Sequence, residues 1–488
     1  MSKEKESGKR KFATERSSLS RSLSVSLAGA KAGSTIAVGS LMRKLRLSGD
    51  SESDVLRREA QSFVDELGRL KGSYVKIGQL LAQFGEHFLP VELTEALHTL
   101  GSDTEAMPFN NVEPVLRHSL GARYAQLDVE PKAMAAASLA QVHAANWQPP
   151  TVKGRPSAAP QQLCLKVLYP GLRDSIDSDF DTVIRMLKLG RFLQMNRQMQ
   201  QWLEKMRAQL KREADYRHEA QMTLAMAERV QSLSDRNPGL LTAELKVPRL
   251  EQSLCQGDVL ALERMHGFAV NSPQVQRLSK TRRSALGKAM LELFFAEVFE
   301  WGLIQTDPNF GNYLIKASAR LRGANSQPDQ LILLDFGSVD TPTEEFLESL
   351  RTAISCGLAN DEEGLRRALV MLGCLQPNSS ASAQQSFAQF CIAILEPLRP
   401  PAELPASCLN ERGEYCWADS KLVKRVGKQA ATASLHKHFE LPSAEFTLIA
   451  RKLIGVFTFI SVLRSEFNGH EIAARYVTAW EQGNADKG

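Results

Sequence analysis

Two short segments constrain this chain of 488 residues more than any others. The first is Asp307-Pro-Asn-Phe-Gly-Asn312, an acid followed five positions later by an amide. The second is Leu331-Ile-Leu-Leu-Asp335-Phe-Gly337, an apolar run that reads as a buried strand and ends on a carboxylate. A stretch over 317–330 holding Gly, Asn, Ser and Pro predicts a turn between them. Asn312 and Asp335 both offer hard oxygen ligands of the kind Mg²⁺ takes.

The Asp-x4-Asn spacing is that of a protein-kinase catalytic loop, and strand-Asp-Phe-Gly is the other half of a nucleotide-bound Mg²⁺ centre. Phosphoryl transfer also needs a cation to fix the phosphates and a carboxylate to hold that cation. Lys166, in Leu-Lys-Val, sits in a predicted strand, and Glu219 on the following helix is the candidate partner. Glu263 and Met265 close the next strand and would offer backbone groups to an adenine. Asp307 would orient or deprotonate the acceptor hydroxyl or water. Taken singly, Lys166 is an edge charge and Asp307-Pro a turn starter. The set in this order is what points to ATP and Mg²⁺.

Two absences narrow the reading. No GxGxxG loop precedes Lys166. Ala135, Ala136, Ala137 and Ser138 stand there, and alanines crowd the backbone approach that glycines allow. After Gly337 no Ala-Pro-Glu follows, and Glu344 onward already reads as helix. A platform for docking peptides is missing.

Charge is unevenly spread. Residues 1–46 hold eleven Lys/Arg against three Glu, net +8, so with +5 overall the rest carries −3. The basic, Ser-rich start suits an anionic membrane surface, a disordered arm or a targeting peptide. No nucleic-acid partner is expected of the body. Residues 22–42 are long enough to span a bilayer, but Lys31 in their middle costs about 3 kcal/mol on insertion scales. Gly29 and Gly33 suit helix–helix packing, so a surface-associated or oligomerising helix is expected there, and a homodimer with it. Seven scattered cysteines without a CxxC argue for free thiols, not a disulfide framework or zinc.

The remaining chain reads as α+β. A long amphipathic helix is predicted over 55–83, with a second from Glu92 to about Leu100. Strands over 127–170 form a hairpin broken at 148–160. Helices follow over 174–195 and 199–232, and on the latter Asp215 and Glu219, four apart, share a face. Strand character returns over 245–265. The rest is helical apart from the Asp307–Asp335 segment, and Leu453–Leu463 reads as a core helix.

At these residues the chain resembles the UbiB (ABC-one, ADCK-type) atypical kinase family, over roughly residues 55–470. Lys76-Ile-Gly-Gln79 is similar to its KxGQ signature, and Ala135–Ser138 with Gln141-Val-His143 to its Ala-rich loop. Lys166 with Tyr169-Pro-Gly171, Glu213-Ala-Asp215 (ExD), Gln305-Thr-Asp-Pro-Asn309 and Asp335-Phe-Gly337 complete the set. Ala140 departs from the pattern, standing where Gly is common. The resemblance implies a protein-kinase-like two-lobe fold: a basic segment 1–54, a helical extension 55–106, an N-lobe 107–265 and a mostly helical C-lobe 266–488. It implies a Lys166–Glu219 ion pair, Asn312 and Asp335 as metal ligands, and Asp307 as the catalytic-loop acid. Lys76 and Gln79 would lie over the active site toward Glu213 and Asp215, as regulatory residues that exclude protein substrates. It further implies ATP-dependent work in ubiquinone biosynthesis, on lipid or quinone precursors or their enzyme complex. The expected location is cytoplasmic and peripheral to a membrane, or the mitochondrial matrix face. Small-molecule kinases of the choline and aminoglycoside type are an alternative without KxGQ, and a nucleotide-gated lipid-binding scaffold is another.

Overall fold

Gly72 divides the first helical stretch in two. Its φ of +60° is a left-handed conformation that glycine adopts without a Cβ penalty, and helix Glu52–Leu70 gives way there to helix Ser73–Gly85. The single helix expected over 55–83 is thus a pair, whose apolar faces bury Phe63, Leu67, Ile77 and Leu80. Gly78 permits the pairing. A Cβ there would fall 2.4 Å from Leu100 and 3.1 Å from Leu67.

The computed structural model describes residues 52–70, 72–85, 89–100, 105–149, 159–193, 195–236, 243–319, 327–375, 380–427 and 443–485. The expected basic tail and the helix over 22–42 lie outside them. The chain divides into two compact units, Met1–Tyr216 with Ser253–Ala261, and Arg217–Gln252 with Leu262–Gly488.

In the first unit a five-stranded sheet runs in the order Leu127–Val129, Ala140–Trp147, Gln161–Leu168, Val259–Glu263, with Ala135–Ala136 added beside Ala140–Trp147. The long central hairpin is antiparallel and sets Val142 opposite Lys166. Alternation decides its faces. Leu163, Leu165 and Val167 point to a core completed by Val112, Leu116 and Leu120 of helix Phe109–Leu120. Lys166 therefore points to the other face. Helix Leu172–Leu189 follows, then helix Arg197–Glu213, which stops at Glu213.

That stop corrects the continuous helix expected over 199–232. Ala214 and Asp215 form a junction, and a new helix starts at Tyr216 and runs to Arg236. Asp215 and Glu219 are not successive turns of one helix. The strand expected over 245–265 is also two strands in different sheets. Glu244–Lys246 pairs with Gln330–Leu333, while Val259–Glu263 joins the five-stranded sheet. Pro248 cannot donate to a ladder, and Gly257 turns the chain at φ +57°.

The second unit is mostly helical. Helix Lys280–Ala296 is buried continuously from Met290 to Ala296 and runs into a π-turn, Glu297–Trp301, which ends at Gly302. Around it pack helices Glu344–Leu358, Glu362–Met371, Ala381–Ile394, Ala444–Val462 and His470–Ala485. Thr343, Asp361, Ser380 and Ser443 cap the first four with side-chain oxygens. The core helix expected at Leu453–Leu463 is the second half of Ala444–Val462. All seven cysteines are free thiols. Among the described residues no helix is long and apolar enough to cross a membrane.

Candidate active site

The acid–amide segment is fixed by its own side chains. Thr306 enters it from the strand Ile304–Gln305, donating its N–H and its hydroxyl to the Ser338 carbonyl at 3.1 and 2.8 Å. Pro308 removes one backbone donor. Asn309 then turns the chain by accepting the Gly311 N–H at 2.9 Å, and a 3-10 turn Phe310–Asn312 follows. The five-residue spacing lets Asn312 reach back. Its amide nitrogen donates to Asp307 Oδ2 at 3.0 Å, which leaves its amide oxygen as the group that could ligate a cation. The Asn309 N–H approaches Asp307 Oδ1 at 3.4 Å.

A hairpin then brings the second ligand alongside. Tyr313–Lys316 pairs antiparallel with Gln330–Leu333, Tyr313 opposite Leu333, and the Leu334 N–H continues the ladder to the Asn312 carbonyl at 2.9 Å. Asn312 and Asp335 thus leave the same end of one hairpin. Asp335 Oδ1 accepts the Gly337 N–H at 2.9 Å. Glu219 is buried next to them, since a Cβ on Gly337 would sit 3.3 Å from Glu219 Oε2 and 3.4 Å from Asp335 Oδ1. Among the described residues no three His, Cys, Asp or Glu side chains gather to hold a metal. Asn312 and Asp335 fit the pattern of Mg²⁺ held by few protein oxygens and completed by phosphate oxygens and water.

Beneath this loop lies an ion pair that the sequence reading did not single out. Lys452 and Glu297 meet at 3.2 Å with both side chains about 1% exposed. The Lys452 ammonium also donates to Gln305 Oε1 at 3.3 Å and to the Tyr313 hydroxyl at 3.4 Å. Burial pushes the Glu297 carboxyl up against the pull of Lys452. Burial works to lower the Lys452 ammonium, but Glu297 and Tyr313 hold it above its ordinary value. The available signal was Arg451-Lys452 inside an otherwise apolar helix, because a charge placed there needs a buried partner. The next residue outward, Arg451, places Nη2 3.4 Å from Asp307 Oδ1.

The first unit carries the other predicted residues. Ala135–Ala136 is a short strand against Val142 and Gln141. Ala137 donates to the Ala140 carbonyl at 2.8 Å, and the Tyr169 hydroxyl donates to the Ala137 carbonyl at 3.0 Å. Ser138 is buried within this closed turn. Gln141 brackets the Met107 backbone, accepting its N–H at 2.9 Å and donating to its carbonyl at 3.2 Å, and meets His143 at 2.8 Å. Lys166 lies with its ammonium 5.5 Å from the centre of the Tyr216 ring. Lys76 meets Glu213 at 2.5 Å, with both side chains more than four-fifths buried. Gln79 follows one turn on, and Asp215 lies in the junction after Glu213.

Lys166 belongs to the first unit and Glu219 to the second. Glu263 ends its strand with its N–H on the Arg249 carbonyl at 2.8 Å, so that donor is used within the protein. Met265 lies two residues past the strand.

Residues 99–369 match the ABC1 atypical kinase-like domain. The chain is 26% identical to the mitochondrial atypical kinase COQ8 of Schizosaccharomyces pombe over 447 residues, covering 90% of this chain and 66% of that protein. Against the mitochondrial COQ8 of Saccharomyces cerevisiae it is 27% identical, covering 69% and 62%. Against the mitochondrial COQ8B of Rattus norvegicus it is 26% identical, covering 82% and 68%. The chain thus spans about two thirds of the length of these curated relatives. A solved structure, a Mycobacterium tuberculosis protein in complex with erythromycin, aligns with a TM-score of 0.54 at 20% identity over 84% of this chain and 93% of its own, a likeness of fold.

Proposed function

This chain belongs to the ABC1 atypical kinase-like family, and from that premise we propose that it binds Mg-ATP and couples its turnover to isoprenoid-quinone biosynthesis. The observation that carries the nucleotide reading is the hairpin that sends Asn312 and Asp335 out at one end, with Asp307 hydrogen-bonded to Asn312. Asn312 and Asp335 would hold Mg²⁺, which would supply charge neutralisation to the phosphates. Lys166 fixes the phosphates and Glu219 orients Lys166. Asp307 accepts the proton of the attacking hydroxyl or water. Glu263 and Met265 flank the adenine, the former through its carbonyl.

The quinone half of the reading is supported by the two yeast relatives, both named COQ8 and both mitochondrial by name. The net +8 over residues 1–46 supports peripheral association with an anionic membrane surface, on its cytoplasmic side or, as the names of the mitochondrial relatives favour, at the mitochondrial matrix face. Peptide phosphorylation is disfavoured by the closed Ala-rich turn and by the Lys76–Glu213 pair, which ties the KxGQ helix to the ExD segment.

The test is thermal stabilisation by Mg-ATP in wild type and Asp335→Asn, followed by quinone-precursor levels in a deletion strain carrying each form. The wild type should shift and rescue, and Asp335→Asn should do neither. A shift that survives Asp335→Asn unchanged would remove the metal assignment. Rescue by the variant would detach nucleotide turnover from the quinone role.

A further inference from the structure

Phosphoryl transfer spreads negative charge over the oxygens of the moving group, and that charge calls for a cation. The loop that holds Asp307 brings none, because Asp307-Pro-Asn-Phe-Gly-Asn312 contains no Lys or Arg. A cation nevertheless stands beside Asp307. Arg451, 144 residues away in sequence, places Nη2 3.4 Å from Asp307 Oδ1. Its side chain is 28% exposed and that of Asp307 31%, so the pair opens to solvent and to a ligand.

Arg451 is held in that position by more than its own head group. Residues 451, 455 and 459 of helix Ala444–Val462 lie at four-residue steps and form one ridge along the loop. Gly455 brings its backbone against Pro308, leaving no room for a Cβ, which would fall 2.1 Å from Pro308 Cβ. Phe459 packs edge-on against Phe310 and Tyr313, with ring centres 5.9 and 5.5 Å apart. Lys452 ties the same turn inward to Gln305, Tyr313 and Glu297. The helix therefore carries Arg451 to the catalytic-loop acid as a rigid mount.

We propose that Arg451 is a catalytic residue that stabilises the transferred phosphoryl group, an inference that rests on the Mg-nucleotide reading above. In the resting chain its guanidinium balances Asp307. During transfer the acceptor oxygen forms its bond to the terminal phosphorus, and the bond from that phosphorus to the bridging oxygen breaks. The electron pair stays with the departing diphosphate, and the acceptor proton passes to Asp307. Arg451, mounted beside the acid that positions the acceptor, offers its guanidinium to the phosphoryl oxygens as their charge develops. A reacting phosphorus lies about 3–3.5 Å from its nucleophile, so an acceptor positioned by Asp307 brings the phosphoryl group toward the side chain that Asp307 contacts. Arg451 Nη2 meets Asp307 Oδ1 at 3.4 Å, a long hydrogen bond of the kind a partner that must exchange can make.

The experiment uses the full chain as wild type, Arg451→Ala and Arg451→Lys. Mg-ADP binding is titrated with and without aluminium fluoride, which mimics the transferred phosphoryl, and phosphate release from Mg-ATP is measured in parallel. In wild type, aluminium fluoride should tighten ADP binding. Arg451→Ala should lose that gain while Mg-ADP alone binds within about threefold of wild type. Its phosphate release should fall about 10³-fold, the lower end for loss of an arginine that stabilises this transition state. Arg451→Lys should keep part of the gain. An Arg451→Ala chain that retains the aluminium fluoride gain overturns the proposal. So does one that loses Mg-ADP binding in the same proportion, which marks a structural role. A wild type that binds Mg-ADP in neither condition removes the nucleotide reading itself, and the Arg451 assignment with it.

Discussion

Gly455 lies so close to Pro308 that a Cβ on Gly455 would fall 2.1 Å from Pro308 Cβ and 3.4 Å from its Cα. Pro308 is the residue after Asp307, and Gly455 sits in the middle of helix Ala444–Val462. The contact explains a glycine where helix propensity disfavours one. The close approach of helix to loop outweighs the roughly 1 kcal/mol that glycine costs in a helix interior relative to alanine.

Gly455→Ala should therefore destabilise the protein, by about 1–3 kcal/mol, the range for overpacking a core. Gly483, in helix His470–Ala485, has nothing within 4 Å of an added Cβ. Gly483→Ala should leave stability unchanged or raise it by up to about 1 kcal/mol. Urea unfolding of the two variants measures the opposite signs. Equal small gains from both would show that helix and loop are not in this contact.

Lys452→Met should cost about 3–5 kcal/mol, because it strands the Glu297 carboxylate without its cation. Burial then acts on Glu297 without the pull of Lys452, opposed only by the Gln305 backbone hydrogen bond, and raises its carboxyl further. A carboxyl raised in the folded state contributes stability that is complete below the unfolded value of about 4.3 and is lost as pH rises through the folded one. The penalty for Lys452→Met should thus be smallest near pH 4 and grow toward pH 7. Denaturation midpoints of wild type and variant across that span measure it, and a pH-independent difference would refute the stranded-charge account. Lys452→Met with Glu297→Leu should recover most of the loss, because a well-packed apolar pair carries no charge to desolvate.

The Lys76–Glu213 pair is more exposed than Lys452–Glu297, and its loss should cost less. Lys76→Ala should lower the unfolding free energy by about 1–2 kcal/mol, between the values for surface and fully buried pairs. Lys76→Arg keeps the charge and should recover part of that. The pair joins helix Ser73–Gly85 to the end of helix Arg197–Glu213, so Lys76→Ala should also raise hydrogen exchange in both segments. Exchange unchanged in Arg197–Glu213 would show that the contact does not restrain that helix.

The geometry of the candidate site was legible in the sequence where it is local. Asn312 reaches Asp307 across one turn, and Asp335 follows Asn312 through one hairpin, so spacing and strand pattern carried both. Lys166 was legible because alternation in Leu-Lys-Val set it off from the apolar face. The break in the helix expected over 199–232 leaves no mark in the sequence, because no Gly or Pro stands at Ala214 or Asp215. Over 55–83 the apolar periodicity predicts one helix while Gly72 and Gly78 hint at a bend or close packing, and the structure has the break at Gly72 and the close packing at Gly78.

What the sequence by itself determined is the family this chain belongs to and the short motifs that carry the resemblance, because those motifs are local and their spacing is their geometry. Only the tertiary structure decided that Lys76 meets Glu213, that Lys452 is buried against Glu297, and that Arg451 faces Asp307. Electrostatic partners are chosen by distance in space, and helix Ala444–Val462 reaches the Asp307–Asn312 loop through packing of Gly455 and Phe459 that no spacing along the chain records.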